Sequence, residues 1–156
     1  MTLLQSADLI GRELSDRLLT RTVALGAETD LGRKVFRGRR VIDDDSIPCT
    51  ALIEGTDEVE ENDSRHTVQA KVTQQYVLLA YVPCDPLHPN DAAHAALRDL
   101  KRAVFTTEGV PDRTLGERVK RVSYRGRDIG PRADGAAFVV ASLEVTVEYV
   151  ENLAAP

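Results

Sequence analysis

Val68-Gln69-Ala70-Lys71-Val72-Thr73-Gln74-Gln75-Tyr76-Val77-Leu78-Leu79-Ala80-Tyr81-Val82 is apolar at every even position but one, Gln74. A second run obeys the same rule on odd positions: Ala137, Val139, Ala141, Leu143, Val145, Val147 and Tyr149. Successive strand side chains point to opposite faces, so a period of two sustained this long predicts half-buried β-strands. In the first run the odd positions change character, from Gln69, Lys71 and Thr73 to Val77, Leu79 and Tyr81. That strand is expected to begin with one wet face. It should end buried on both faces, or buried on one and covered by a partner on the other.

Each long strand follows a helix pattern. From Ser6 to Leu25, residues Ala7, Ile10, Leu14, Leu18 and Leu25 fall on one stripe. Ser6 suits the N-cap, Asp8 the first turn, Glu13 and Arg17 an i,i+4 pair, and Gly26 the stop. The second helix is expected to be capped at Asn90 or Asp91, after Pro83, Pro86 and Pro89, and to run to about Phe105. Its buried stripe is Ala93, Ala96, Leu97, Leu100 and Val104; His94, Arg98 and Arg102 lie opposite, with Lys101 beside them. Gly109 to Asp112 breaks it.

Shorter strands are predicted at 34–39, 49–54 and 118–125. The segment Gly55 to Ser64 is acidic and lacks apolar periodicity, which predicts a mobile loop. Gly126 to Gly135 reads as a long hairpin loop. The long strands are expected at 65–82 and 136–150. The order α-β-β-β-α-β-β, with a single apolar stripe on each helix, predicts one α+β domain spanning 1–156. Its architecture is a two-layer sandwich: a mostly antiparallel or mixed sheet of about four to five strands, with two main helices on one face.

The bulk properties exclude several classes. The chain has 156 residues, 42% hydrophobic and 29% charged, with a formal net charge of −5. That balance is ordinary for a globular domain and argues against binding nucleic acid by bulk electrostatics. No apolar run has the length of a membrane span, and no secretory signal pattern opens the chain. Cys49 and Cys84 lack CxxC spacing and read as small apolar groups.

No motif carries catalysis. There is no GxSxG elbow, no glycine-rich phosphate loop, and no EF-hand spacing around Asp43, Asp44 and Asp45. Cys84, His88, Asp91 and His94 cluster in sequence, but the Cys-x3-His-x5-His spacing through prolines is not that of a zinc site. A loop leading into a helix cap accounts for them. A small metal-dependent enzyme is the reading this cluster favours least. Binding of nucleic acid through the arginine clusters is disfavoured by sparse aromatic interleaving, Phe36 and Tyr124 alone. The expectation is therefore no catalytic residue, no metal and no cofactor.

Charge, by contrast, is sorted. Five basic residues fall in 33–40 and nine acidic ones in 41–64, a stretch without Lys or Arg; nine basic residues return between Arg98 and Arg127. One reading is a set of solvated loops. The sharper reading is an acidic edge and a basic edge suited to head-to-tail contacts between identical subunits. Arg37, Arg39, Arg40, Glu58, Glu60, Glu61, Arg125 and Arg127 are the interface candidates.

The chain resembles, over nearly its whole length, the phage tail terminator proteins, the minor tail protein U-like or tail-completion family. The resemblance rests on the N-terminal helix followed by Val35-Phe36-Arg37-Gly38, then Ile47-Pro48-Cys49-Thr50-Ala51-Leu52-Ile53, and a long strand opening at Arg65-His66-Thr67-Val68. It continues through the Ala93, Leu97, Leu100-Lys101 and Val104 helix, Val122-Ser123-Tyr124-Arg125-Gly126, and a closing Leu143-Glu144-Val145-Thr146-Val147-Glu148-Tyr149. It implies a structural virion protein that forms a homo-oligomeric ring, typically a hexamer, at the head-proximal end of the tail. The ring caps the tail tube, stops its polymerisation and meets the neck or connector, while DNA passes through the lumen without specific binding. The implied setting is the virion and, during assembly, the host cytoplasm; no membrane is involved. Neck proteins of the head–tail joining or head-closure type share this size and topology and are the alternative.

Overall fold

The computed structural model describes residues 3, 6–61, 68–130 and 134–156. It contains a five-stranded mixed sheet with two helices on one face, in agreement with the predicted α+β class. The elements run α1 (Ala7–Leu19), β1 (Val35–Arg37), β2 (Cys49–Glu61), β3 (Gln69–Pro83), α2 (Pro89–Phe105), β4 (Thr106–Thr107), β5 (Val110–Pro111), β6 (Arg121–Ile129) and β7 (Phe138–Asn152). The main sheet is ordered β1-β2-β3-β7-β6. Among the described residues only the β1–β2 contact is parallel.

β3 and β7 are the two period-two runs, paired along their full lengths from Gln69 opposite Asn152 to Pro83 opposite Phe138. Their matched apolar positions put Val72, Tyr76, Leu78, Leu143, Val145 and Val147 beneath the helices, all fully buried. From α2, Ala93, Ala96, Leu97, Leu100 and Val104 close this core as the stripe predicts, and Ile10, Leu14 and Leu18 do so from α1. On the other sheet face Val77, Leu79 and Tyr81 are half-buried. β3 is therefore buried toward the helices alone, among the described residues.

Gln74, the exception in the period, is buried, and its amide reaches the Gly55 carbonyl at 2.8 Å. Gly55 lies where the β2–β3 register shifts between Glu54 and Asp57. A bulge leaves backbone groups without ladder partners, and the Gln74 side chain supplies one.

Several boundaries differ from the sequence expectation. α1 ends at Leu19, not Leu25. The chain folds back so that Gly32 N–H donates to the Arg21 carbonyl at 2.8 Å, and the 31–33 turn packs against the helix end. A Cβ on Gly32 would collide with the Leu18 carbonyl oxygen, so glycine is required there. Thr20, Thr22 and Val23 are β-branched and weaken helix continuation. Leu25 is consequently exposed rather than part of the stripe. Gly26 does stop a turn, but a 3₁₀ turn over Val23–Leu25, with φ 94°. Ser6 stands at the N-cap position, yet its hydroxyl bonds the Asp8 carboxylate rather than a backbone N–H.

The acidic segment 55–61 is strand, not loop: it pairs with β3 as far as Glu61 opposite Ala70. Alternating side chains conceal this, because both of its faces are wet. The expected strand opening at Arg65-His66-Thr67 lies outside the described residues, as do Asp63, Ser64 and part of the 126–135 loop. α2 begins at Pro89 with His88 in the cap position, ahead of the expected caps Asn90 or Asp91 by two or three residues. Proline at the first helical position forfeits no helical hydrogen bond. The helix break read at Gly109 to Asp112 falls in a small hairpin, in which Thr106–Thr107 pair with Val110–Pro111 across Glu108 and Gly109, at φ of 52° and 78°. The strand expected at 118–125 is displaced to Arg121–Ile129, because Arg118 and Val119 donate to the Thr114 carbonyl in a turn.

Candidate functional site

The charged segments occupy the two sides of the sheet. β1 pairs with β2 only from Val35 to Arg37, opposite Thr50 to Leu52. Beyond that, the outer side of β2 from Glu54 to Glu61 has no strand partner among the described residues. On the opposite side β6 is the terminal strand. One outward backbone bond, from Val122 N–H to the Arg113 carbonyl at 2.6 Å, occupies the start of its outer side.

Arg37, Arg39 and Arg40 follow or end β1, on the same side of the sheet as the acidic strand. The two charge blocks thus share one side, and Arg37 is already paired with Glu54 at 3.1 Å. Arg39 lies over the Phe36 ring, 4.5 Å from its centroid. Arg40 lines a shallow cleft with Arg37, Gly38, Ile53 and Glu54. Their basic counterpart across the molecule is β6, with Arg121, Arg125 and Arg127 exposed. Arg125 donates to Thr146 Oγ1 at 3.0 Å, and Arg127 to His94 Nδ1 at 3.5 Å.

Cross-strand pairing assigns each side chain to a face. Glu58 and Glu60 sit opposite Thr73 and Lys71, on the face away from the helices. Asp57, Val59 and Glu61 sit opposite Gln74, Val72 and Ala70, on the helix side. Val59 is 56% exposed, an apolar side chain standing among acids. The concentration of acid is felt by Tyr149, in the same region: burial first, then Glu151, Asp57 and Glu54, push its phenol up to about 12.

Next to β6 on the helix side lies a groove of about 760 Å³ lined by Lys101, Phe105, Pro111, Asp112, Arg113 and Tyr124. The Lys101 ammonium is 5.3 Å from the centre of the Tyr124 ring, within cation–π range. Asp112 organises the groove floor. Burial raises its carboxyl, but hydrogen bonds from the Thr114 and Thr107 hydroxyls and the Gly116 and Thr114 N–H groups outweigh that. The net result holds it far below the ordinary carboxylate range.

The polar face of α2 is engaged rather than free. Arg98 and Arg102 bind Glu28 at 2.8 and 2.9 Å, holding the Glu28 carboxyl down, with the Arg98 hydrogen bond the largest cause. Arg17 pairs with Glu13 at 2.9 Å as expected, and also donates to the Thr106 carbonyl at 2.6 Å and Thr107 Oγ1 at 2.8 Å. These cross-element contacts have no sequence signal, since residues 17 and 106 meet only through the packing of α1 on α2. Cys84 Sγ lies 3.7 Å from the Ala136 carbonyl. Among the described residues, no three His, Cys, Asp or Glu side chains are grouped to hold a metal ion. No described helix is long and apolar enough to cross a membrane.

The fold is an α+β two-layer structure with the acidic outer stretch of β2, flanked by the β1 arginines, on one side of the sheet and the basic strand β6 on the other. No protein-family model matches the chain, and no curated protein does. Among solved structures, it is similar to a chain of the virion of a native gene transfer agent particle. The TM-score is 0.52 at 15% identity, covering 92% of this chain and 98% of the other. At that identity the likeness is one of fold.

Proposed function

We propose that this chain is a structural virion protein of the tail terminator kind. In this reading it forms a homo-oligomeric ring, of six subunits, that caps the tail tube, stops its polymerisation and presents the opposite ring face to neck or connector proteins. DNA passes through the lumen without specific binding, and the protein resides in the virion after assembly in the host cytoplasm. The protein acts by assembly rather than catalysis.

The observation carrying this reading is the end-to-end fold match to a virion-particle chain, nearly complete on both sides. The acidic outer stretch of β2 and the basic β6 on the opposite side of the sheet support it, because a heterologous contact between unlike edges generates a closed ring when the rotation permits. Arg37, Arg39 and Arg40, with Glu58, Glu60, Glu61, Arg125 and Arg127, are the proposed contact residues, all of them exposed.

The test is a tube-capping assay. Tail-tube protein polymerised with and without this chain is imaged by negative-stain electron microscopy. Shortened tubes bearing a ring at one end are expected. Unaltered tubes together with binding to purified connector would transfer the protein to the neck; unaltered tubes with no connector binding would overturn the virion reading.

A further inference from the structure

We infer that the acidic outer side of β2 in one copy adds as an antiparallel strand to the outer side of β6 in a second copy, with Val59 seated in the groove beside Tyr124. The inference rests on the ring reading only in taking a second copy of this chain as the occupant.

Direction supports the pairing. β2 is antiparallel to β3, β3 to β7 and β7 to β6. β2 and β6 therefore run in opposite directions. A second copy set beside the first, helices on the same side, brings them together antiparallel. Both strands have backbone groups without strand partners on their outer sides among the described residues, and the open stretch of β2 from Glu54 to Glu61 is close in length to the 9 residues of β6. An exposed strand edge is a template for pairing with another chain.

Side-chain chemistry sets the register. Tyr124 pairs with Val145 and so lies on the helix side, where it lines the groove with Phe105 and Pro111. Val59 is also on the helix side of its own strand. Directly opposed antiparallel residues share a face, so Val59 opposite Tyr124 is allowed and points into the groove. The same register sets Glu58 beside Arg125, the extra residue of the β6 bulge between Tyr124 and Gly126, whose bond to Thr146 Oγ1 holds it on the face away from the helices, and places Glu60 diagonal to Arg121. The ladder stops short of Val122, whose outward N–H is already given to the Arg113 carbonyl, so Glu61 lies past its end, toward Arg113. Charge, apolar fit and strand direction thus agree on one register, whereas a one-residue slip would turn Val59 away from the groove.

Disulfide trapping tests this. Glu58→Cys and Arg125→Cys are made separately in a Cys84→Ser background; Cys49 is wholly buried. The two proteins are mixed, oxidised mildly and resolved by mass. Neighbouring residues across an antiparallel pair lie within disulfide reach. The expected product is the mixed 58–125 disulfide in several-fold excess over either homodisulfide. In parallel, Glu58→Arg and Arg125→Glu are each expected to move the assembly toward the 17.1 kDa single chain, and the double exchange to restore it.

A wild-type ring without the mixed disulfide, or without rescue by the exchange, overturns this pairing and leaves the ring reading standing. The mixed disulfide with uncapped tubes supports the pairing and overturns the terminator reading. A single chain at every concentration, with and without tube protein and with no cross-link, overturns both.

Discussion

Asp99, wholly buried on α2, accepts both the backbone N–H and the hydroxyl of Thr29, at 2.8 and 2.6 Å, across 70 residues of sequence. Its other oxygen takes the Glu28 N–H at 3.1 Å. The segment after α1 is thereby fastened to α2 by a carboxylate that water does not reach. Asp99→Ala leaves three donors without their partner. An unfolding free energy lower by about 2–4 kcal/mol is expected, measured by urea titration; a change below about 0.5 kcal/mol would contradict the assignment.

Asp112 links stability to pH. Its folded carboxyl lies below its ordinary value of 3.8, so the unfolded chain binds its proton first. The contribution is then full well above pH 4 and is lost as pH falls through and below that value. Asp112→Asn is expected to lower stability at pH 7 by about 1–3 kcal/mol. It should also flatten the acid limb of the melting-temperature profile between about pH 5 and 2. Parallel profiles for wild type and variant would refute the role.

Packing and assembly are separable by mutation. Leu100 is fully buried, and Leu100→Ala should reduce stability by about 2–5 kcal/mol through the cavity it leaves. Replacing Arg37, Arg39 and Arg40 together by Glu places a carboxylate against Glu54, yet all four residues are exposed. The triple variant is expected to unfold within about 1 kcal/mol of wild type, while losing the ring in light-scattering chromatography. Retained assembly would remove these arginines from the interface.

Gly32 is a steric requirement rather than a turn preference. Its φ is unexceptional, but a methyl group there meets the Leu18 carbonyl oxygen and the backbone of Arg21. Gly32→Ala should reduce stability by about 1–3 kcal/mol, seen as a lower midpoint in urea with an unchanged slope. Gly26→Ala, by comparison, touches nothing and is penalised only by its positive φ of 94°.

The sequence alone determined β3, β7, the buried stripe of α2 and hence the two-layer class, because each places apolar residues at the period of its own element. Burial on one side writes that period directly into the chain. The same logic hid the outer half of β2: a strand with two wet faces has no apolar period, so Asp57 to Glu61 carried charge but no sign of the ladder it forms with β3. The C-terminal limit of α1 was equally silent, since it depends on Gly32 meeting Leu18 from a distant turn. Opposite charge blocks were legible along the chain, but their sides were not. Only the strand order β1-β2-β3-β7-β6 set Arg37 beside Glu54 and carried Arg125 to the far side of the sheet, because lateral position in a sheet is decided by pairing between segments remote in sequence.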